Sequence, residues 1–263
     1  MEIGGVEVFN ELSAIGIATL AGLFFASYFV KGAIGLGALS PVILFGTILL
    51  GPHHAVLLAV LTNAVSQIQF LPQGLRDGDW RLARQVIAGN FAGSVVGVWI
   101  FGQIPSAWLT LFLGLTLGLV LLADATQALE KLSRRMDLQS PKFILPFSAV
   151  SGLVSGVTGA GGLFLIAIYV KHLSPSPQAY RGTIILLSML VVLWRTAIFV
   201  ISGMIDTILL IEGIVLLPAI VFGGIVGTWY FRRLSVKRFF ILFQLIILLG
   251  AINLTLRGLW GLY

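Results

Sequence analysis

One strongly basic side chain lies deep inside an apolar run, and it is the first candidate for chemistry. Arg195 lies within residues 182–201, where no carboxylate occurs. A cation at that depth in a membrane is costly unless it is paired or faces an aqueous cavity, so it indicates function by default. An arginine beside helix N-termini favours an anion, because backbone N–H groups and the helix dipole attract negative charge. The alternative is a structural ion pair with Glu212 or Asp206.

Two glycine-rich interruptions of the apolar sequence are the second candidate feature. They lie at residues 32–41 and 156–162. Each interior glycine destabilises a helix by about 1 kcal/mol relative to alanine, so both stretches predict broken helices. Matching interruptions in two halves of a chain point to a transporter's substrate site. The two breaks therefore predict one site near the bilayer midplane, with tight helix packing as the alternative. A shift of 124 residues superposes Gly32 on Gly156, Gly35 on Gly159 and Gly37 on Gly161.

Polar side chains near these breaks supply further hydrogen-bonding groups. Ser40 and Thr158 offer hydroxyl donors, while Asn63 and Gln67 are four residues apart and share one helix face. The two amides either bind substrate or satisfy backbone groups at the broken helices, and the sequence leaves both roles open. The predicted substrate-binding residues are Gly35, Gly37, Ser40, Asn63, Gln67, Thr158, Gly159, Gly161, Gly162 and Arg195.

Three further residues are candidates for coupling or gating. Lys31 precedes the first break and could assist at the cytoplasmic mouth, although a lysine at a membrane edge is more often an anchor. His53 and His54 could take part in proton coupling, because histidine changes charge near neutral pH. A surface turn is the simpler explanation for the two histidines.

The composition sets the class of protein. The chain is 58% hydrophobic and 10% charged, with a mean hydropathy of +1.05. Soluble domains carry about 25% charged residues, so this is an all-α polytopic membrane protein. The absence of cysteine excludes disulfides and thiolate metal sites. No GxSxG elbow, HExxH pair or Walker loop occurs, so we predict neither an enzyme nor a metal or cofactor site.

The charged loops divide the chain into two halves. We predict an extracytoplasmic acidic tail at 1–11, a first membrane repeat at 12–123 and a cytoplasmic linker at 124–142. A second repeat follows at 143–257, with a short tail at 258–263. Each half holds about five helices or half-helices, and an odd number inverts one half relative to the other.

The basic residues predict the orientation. Nearly all of the 16 lysines and arginines fall on one face of this plan, which the positive-inside rule places in the cytoplasm with both termini outside. A second correspondence, offset by 130 residues, superposes Gly93 and Gly97 on Gly223 and Gly227. These are GxxxG-type faces, for which close helix packing is the expected role.

The chain resembles the sulfite exporter TauE/SafE family of bacterial membrane permeases over residues 12–256. The most specific element is Gly156-Val157-Thr158-Gly159-Ala160-Gly161-Gly162, which is similar to the family's second glycine-rich motif. Gly35-Leu36-Gly37-Ala38 is a poorer copy of the first motif, with alanine and leucine in place of glycines.

The resemblance implies a secondary transporter of the bacterial cytoplasmic membrane that exports a small anion. Sulfite or a small organosulfonate such as sulfoacetate ranks first as substrate. An uptake permease for another small organic anion and an anion channel are the alternatives. The expected partners are the anion and the lipid bilayer, without nucleic acid, and whether two copies form a homodimer is left open.

Overall fold

The computed structural model describes residues 2–3, 6–10, 12–34, 39–126, 140–174, 176–230 and 236–262. These residues are almost entirely helical, which confirms the predicted all-α membrane fold. Five described helices precede residue 127 and five follow residue 139. They are α1 Ala14–Ile34, α2 Leu39–Leu50, α3 Pro52–Asp77, α4 Trp80–Phe101, α5 Ser106–Ala125, α6 Pro141–Thr158, α7 Gly161–Leu173, α8 Pro177–Ile201, α9 Thr207–Tyr230 and α10 Val236–Trp260.

The N-terminal segment is more ordered than a tail. Strand β1 (Glu2–Ile3) pairs with strand β2 (Val6–Glu7) in an antiparallel hairpin. Val8 and Phe9 follow the hairpin and are buried in the main hydrophobic core. Apolar burial therefore fixes the chain just before α1 begins.

Proline and capping residues set the helix boundaries. Pro52 and Pro177 occupy first-turn positions, where a missing N–H costs nothing. Asp79 caps α4 by accepting hydrogen bonds from the backbone N–H groups of Arg81 and Leu82. Pro72 lies inside α3, and the helix bends by 67° between Ile68 and Leu71, as a proline that clashes with the preceding turn requires.

Helix length separates full membrane spans from partial ones. Four described segments are long and apolar enough to cross a membrane: Ala14–Gly32, Ser106–Ala123, Gln178–Ile201 and Thr207–Trp229. The bent α3 can supply a fifth. Helices α2 and α7 have 12 and 13 residues, about 18–20 Å at 1.5 Å per residue, which is short of a core about 30 Å thick. The chain is thus a multi-pass membrane protein in which each half contains one short helix.

The two halves pack against each other in a reciprocal pattern. The first helix of each half contacts the fourth helix of the other, so α1 packs on α9 and α6 packs on α4. The third helices, α3 and α8, contact each other, as do the fifth helices, α5 and α10. This exchange is the arrangement expected of two repeats about a pseudo-two-fold axis. The inverted orientation of the halves stays a prediction.

Glycines allow the closest of these contacts. Gly93 and Gly97 of α4 lie against the backbone of α6, and Gly223 and Gly227 of α9 lie against the backbone of α1. A Cβ atom at any of the four positions would overlap a backbone atom of the facing helix. The GxxxG-type faces therefore serve helix packing, as the sequence predicts.

The hydrophobic core has two parts. The larger part joins the N-terminal segment to every described helix except α7. A smaller part, around Tyr169 and Leu186, joins α4, α6, α7 and α8. The buried polar side chains described next lie where the helices of both parts converge on α3 and α8.

Candidate functional site

Arg195 is buried in the protein and only partly hydrogen-bonded. Its side chain is 2% exposed, and Nη1 donates to the backbone carbonyl of Ser155 at 2.9 Å. Within the part of the chain that the structure describes, Nε and Nη2 have no hydrogen-bond partner. Among the described residues, neither Glu212 nor Asp206 forms the alternative ion pair, because Glu212 contacts His54 and Asp206 accepts from the backbone N–H of Leu209. Two guanidinium nitrogens are thus left to bind something else.

The second glycine break lies beside Arg195. Helix α6 ends at Thr158, Gly159 adopts a left-handed conformation with φ of 77°, and α7 begins at Gly161. This conformation is accessible to glycine at little cost and turns the chain sharply. The N–H of Gly159 donates to the same Ser155 carbonyl that Arg195 contacts. The break and the arginine therefore share one backbone acceptor.

The start of α7 packs directly on the last turns of α6. Ser151 Oγ donates to the carbonyl of Gly162 at 2.6 Å. A Cβ atom on Gly162 would overlap the Ser151 carbonyl and contact Ser155 Oγ. Ser155, the N-terminus of α7 and Arg195 are consequently neighbours. The structure brings together Gly159, Gly161, Gly162 and Arg195, as the sequence predicts for the second break.

Two buried side chains at this site were not predicted. Ser155 Oγ is buried without a hydrogen-bond partner among the described residues, and so are the side-chain amide nitrogen and oxygen of Asn90 on α4. Gly152 of α6 packs against the backbone of Asn90, one helical turn before Ser155. Buried polar atoms are nearly always hydrogen-bonded, and an orphan costs about 1–3 kcal/mol. A detectable signal in the sequence was the single amide of Asn90 within the apolar stretch of α4.

Thr158 belongs to the same break, but its hydroxyl has a local role. Thr158 Oγ1 donates to the carbonyl of Val154 at 2.7 Å, within its own helix. This bond satisfies the hydroxyl proton without a ligand, as is common for threonine in helices. The Thr158 hydroxyl is therefore less available than that of Ser155 to donate a hydrogen bond to substrate.

Lys31 lies directly before the first glycine break. Gly35 and Gly37 lie outside the described residues. Lys31, in the last turn of α1, is 4% exposed, and its Nζ donates to Asn63 Oδ1 at 2.6 Å and to Ser66 Oγ at 2.5 Å. Nζ also lies 5.6 Å from the centre of the Tyr28 ring. A membrane-edge anchor would be exposed, so the anchor explanation for Lys31 is wrong.

Ser40 is also buried at this break. It lies in the first turn of α2, and none of the residues that the structure describes forms a hydrogen bond with its hydroxyl oxygen. A buried serine at the start of a helix places its hydroxyl beside unpaired backbone N–H groups. The two halves therefore match in one respect, since an orphan serine hydroxyl accompanies each break.

Asn63 and Gln67 share a helix but serve different contacts. Asn63 binds Lys31, whereas Gln67 Nε2 donates to Ser188 Oγ of α8 at 2.6 Å. Both side chains are buried, so the pair neither lines one surface nor reaches solvent. Gln67 instead fixes the register between the third helices of the two halves.

The register between α3 and α8 shows how far apart Arg195 and Lys31 lie along α3. Helices α3 and α8 run antiparallel, because Asp77 lies near Gly182 and Gln67 near Ser188. Arg195 follows Ser188 by seven residues, about 10 Å of helix, and so lies near the level of Val60 on α3. Gly159 is packed against Val60 and Val56, which agrees with this level. The Arg195 and Lys31 clusters therefore meet the middle of α3 within about two turns of each other.

The coupling candidates lie at one end of the molecule. His53 Nδ1 is 3.3 Å from Ser106 Oγ, and its ring packs against Phe101. His54 Nε2 lies 2.5 Å from Oε2 of Glu212, whose Oε1 accepts from the backbone N–H of Phe9 at 3.0 Å. The structure separates these histidines from both cation clusters.

Two cavities open at opposite ends of α3. The first, of about 250 Å³, adjoins the start of α3 and is lined by Phe9, Asn10, Leu12, Leu50, His54, Ile208 and Glu212. The second, of about 310 Å³, adjoins the end of α3 and is lined by Asp79, Arg81, Leu82, Gln85 and Leu173. Lys31 and Arg195 are not among the residues that line either of these two cavities.

Comparison with known proteins gives one match. The sequence model of the family described as Sulfite exporter TauE/SafE matches residues 19–254, nearly the whole chain, which confirms the resemblance seen in the glycine motifs. No curated protein and no solved structure matches the chain.

Proposed function

Because the chain belongs to the sulfite exporter TauE/SafE family of membrane transporters, we propose that it is a secondary transporter of a small anion. The preferred cargo is sulfite or a small organosulfonate such as sulfoacetate, exported across the bacterial cytoplasmic membrane. One observation carries this assignment. Arg195 is buried with Nε and Nη2 unpartnered, beside an orphan serine hydroxyl and the N-terminus of a broken helix.

The available donors suit a three-oxygen anion. Nε–H and Nη2–H lie along one edge of the guanidinium and can hold two oxygens through parallel charge-assisted bonds. Ser155 Oγ and the first N–H groups of α7, at Gly161 and Gly162, are available for the third oxygen. The positive end of the α7 dipole adds to the attraction. Asn90 Nδ2 is a further unpartnered donor near the same turn of α6.

Lys31 supplies a second positive charge on the proposed path of the anion. It lies at the break of the other half, held by Asn63 and Ser66. We infer that the anion passes between the Lys31 and Arg195 clusters as the two halves rock about the site. Alternating access of this kind is the usual behaviour of transporters built from inverted repeats.

The orientation follows from the charged loops. The end of α3 carries Arg76 and the start of α4 carries Arg81 and Arg84, and the positive-inside rule assigns this end of both helices to the cytoplasm. The His54 end of the molecule, with both termini, then faces outwards. Export of a single negative charge is favoured by about 2.3 kcal/mol per 100 mV when the interior is negative, so uniport can suffice.

A flux assay on purified protein in liposomes tests the assignment. Vesicles are loaded with sulfite, sulfoacetate, lactate or chloride, and efflux is followed with and without an inside-negative potential. We expect saturable efflux of at least one sulfur anion, faster with the potential applied, and no efflux from protein-free vesicles. Flux of lactate alone would instead indicate an organic-anion permease. Conductance that does not saturate would indicate a channel.

A further inference from the structure

A buried carboxylate lies outside the anion site, where an anion transporter has no evident need for one. Glu212 of α9 is 1% exposed. Its Oε2 lies 2.5 Å from Nε2 of His54 on α3, and its Oε1 accepts the backbone N–H of Phe9 at 3.0 Å. Both carboxylate oxygens are therefore held, one by a titratable partner and one by the N-terminal segment.

The pair lines the cavity of about 250 Å³ at the start of α3. His54 is 36% exposed at its side chain, so the buried carboxylate connects to the cavity through the imidazole. An anion that leaves the protein through this cavity passes the pair, because both side chains line it. A negative charge on the pair opposes that passage, because like charges repel strongly where little water screens them.

The other charged groups on the surrounding elements have their own contacts or lie apart. On α3, His53 contacts Ser106, and on α9, exposed Asp206 accepts the N–H of Leu209. The hairpin carries Glu2 and Glu7 on its strands. On α1 the charged group is Lys31, at the far end of that helix. Among the described residues, His54 is the only cationic group in an ion pair with Glu212.

We propose that His54 and Glu212 form a proton-binding site that controls the passage of the anion through this mouth. With a neutral imidazole the pair carries one negative charge. When His54 Nδ1 takes up a proton from the cavity, the pair becomes an imidazolium and a carboxylate with no net charge. The proposal rests on the anion transport proposed above.

A chain of contacts links the His54–Glu212 pair to the cluster around Lys31. Gly213, next to Glu212, packs against Leu61 and Thr62 of α3. The hydroxyl of Tyr28 donates to Thr62 Oγ1 at 3.2 Å, and the Tyr28 ring lies beside Lys31 Nζ. Proton binding at one end of α3 therefore acts on a helix that also carries the ligands of Lys31.

Two variants with opposite expected effects test the proposal. Methanesulfonate serves as the probe, because a sulfonate keeps one negative charge from pH 5 to 8. In wild-type proteoliposomes we expect its flux to rise as the pH on the His54 side falls, by at most about tenfold per pH unit for one proton. Glu212→Gln removes the negative charge that opposes passage, so its methanesulfonate flux at pH 8 should exceed that of the wild type, and its flux should rise less between pH 8 and pH 5. His54→Gln leaves Glu212 charged, so its flux stays low at every pH.

Asp206→Asn is the matched control, because it neutralises an exposed carboxylate on the same helix while asparagine still caps it. We expect the methanesulfonate flux of Asp206→Asn to depend on pH as that of the wild type does. A loss of flux in both Glu212→Gln and His54→Gln would show a structural role and overturn the proposal.

Thermal unfolding provides a measurement that needs no substrate. The difference in Tm between wild type and Glu212→Gln changes between pH 8 and pH 5 if the pair binds a proton, whereas a constant difference overturns the proposal. If this difference changes with pH but no variant moves methanesulfonate or a sulfur anion, the transport assignment fails and the proton site stands.

Discussion

Arg195 Nη1 donates to the carbonyl of Ser155 at 2.9 Å, in the last turn of α6. This bond places a cation at the negative end of one helix, where it is favoured by the dipole, and next to the positive end of the next helix. Of the guanidinium's three nitrogens, only Nη1 is hydrogen-bonded to a described residue. The arginine is thus positioned by the break and still has an edge free for an oxyanion.

Arg195→Lys tests the need for this edge. Lysine keeps the charge but has no planar pair of N–H donors, so a bidentate bond to the anion is lost. Charge-assisted hydrogen bonds are worth about 1.5–3 kcal/mol each, so we expect binding of the transported anion to weaken at least about tenfold. The measurement is the concentration dependence of efflux in proteoliposomes.

Arg257→Lys is the matched control, because Arg257 is exposed near the end of α10. The concentration dependence of anion efflux in Arg257→Lys should equal that of the wild type. If Arg195→Lys transported with wild-type affinity, Arg195 would be reduced to a structural contact with α6.

Ser155→Ala separates function from stability. The variant keeps the backbone carbonyl that holds Arg195 and removes only the orphan hydroxyl. Removing a buried unpaired polar group costs no stability, so Tm should be unchanged or slightly raised, while anion affinity falls several-fold. The Tm and the anion concentration that gives half-maximal efflux are measured on the same preparation.

The control for this variant is Ser148→Ala on the same helix. Ser148 Oγ already donates to the carbonyl of Leu145 at 3.0 Å, so its loss should not change anion affinity. Equal affinity in wild type and Ser155→Ala would remove the hydroxyl from the binding site.

The sequence predicts the second break better than the first for a physical reason. Glycine spacing and an intramembrane arginine are local features, and the structure brings Gly159, Gly161, Gly162 and Arg195 together. Lys31 was harder to interpret, because its position near a predicted span end does not reveal whether it points to lipid or inwards. Its burial depends on Asn63 and Ser66, more than 30 residues later, and only the packing of α1 on α3 brings these side chains together.

Glu212 illustrates the same limit. From the sequence it is a carboxylate available to Arg195, and one ion pair between them is reasonable. The packing of α9 against α3 and the N-terminal segment decides otherwise, because it places His54 and the Phe9 N–H against the two carboxylate oxygens. Polar partners distant in the chain are set by helix packing, which hydropathy and spacing do not determine.

Lys31→Met tests whether transport needs the positive charge at the first glycine break. Methionine is similar in length and apolar, so it removes the charge while filling most of the volume. We expect transport of the anion to fall by at least about tenfold, because the positive charge at the first break is lost. Efflux from proteoliposomes and the elution profile in detergent are both measured.

Asn63 and Ser66 lose their contact with Nζ in this variant, which makes a control for folding necessary. Lys31→Arg keeps the charge and should restore part of the transport. Transport by Lys31→Met at the wild-type rate would confine Lys31 to a structural role.

Gly162→Ala tests the packing of the second break. A Cβ atom at this position would overlap the carbonyl of Ser151 and crowd Ser155 Oγ, so the start of α7 must move away from α6. Because a backbone atom cannot yield as a flexible side chain does, we expect a lower Tm and a loss of anion affinity together. Gly118→Ala on α5 is the control, since no atom lies within 4 Å of its added Cβ and alanine stabilises a helix by about 0.5–1 kcal/mol relative to glycine. If Gly162→Ala bound the anion as tightly as Gly118→Ala, the contact between α6 and α7 would not form part of the site.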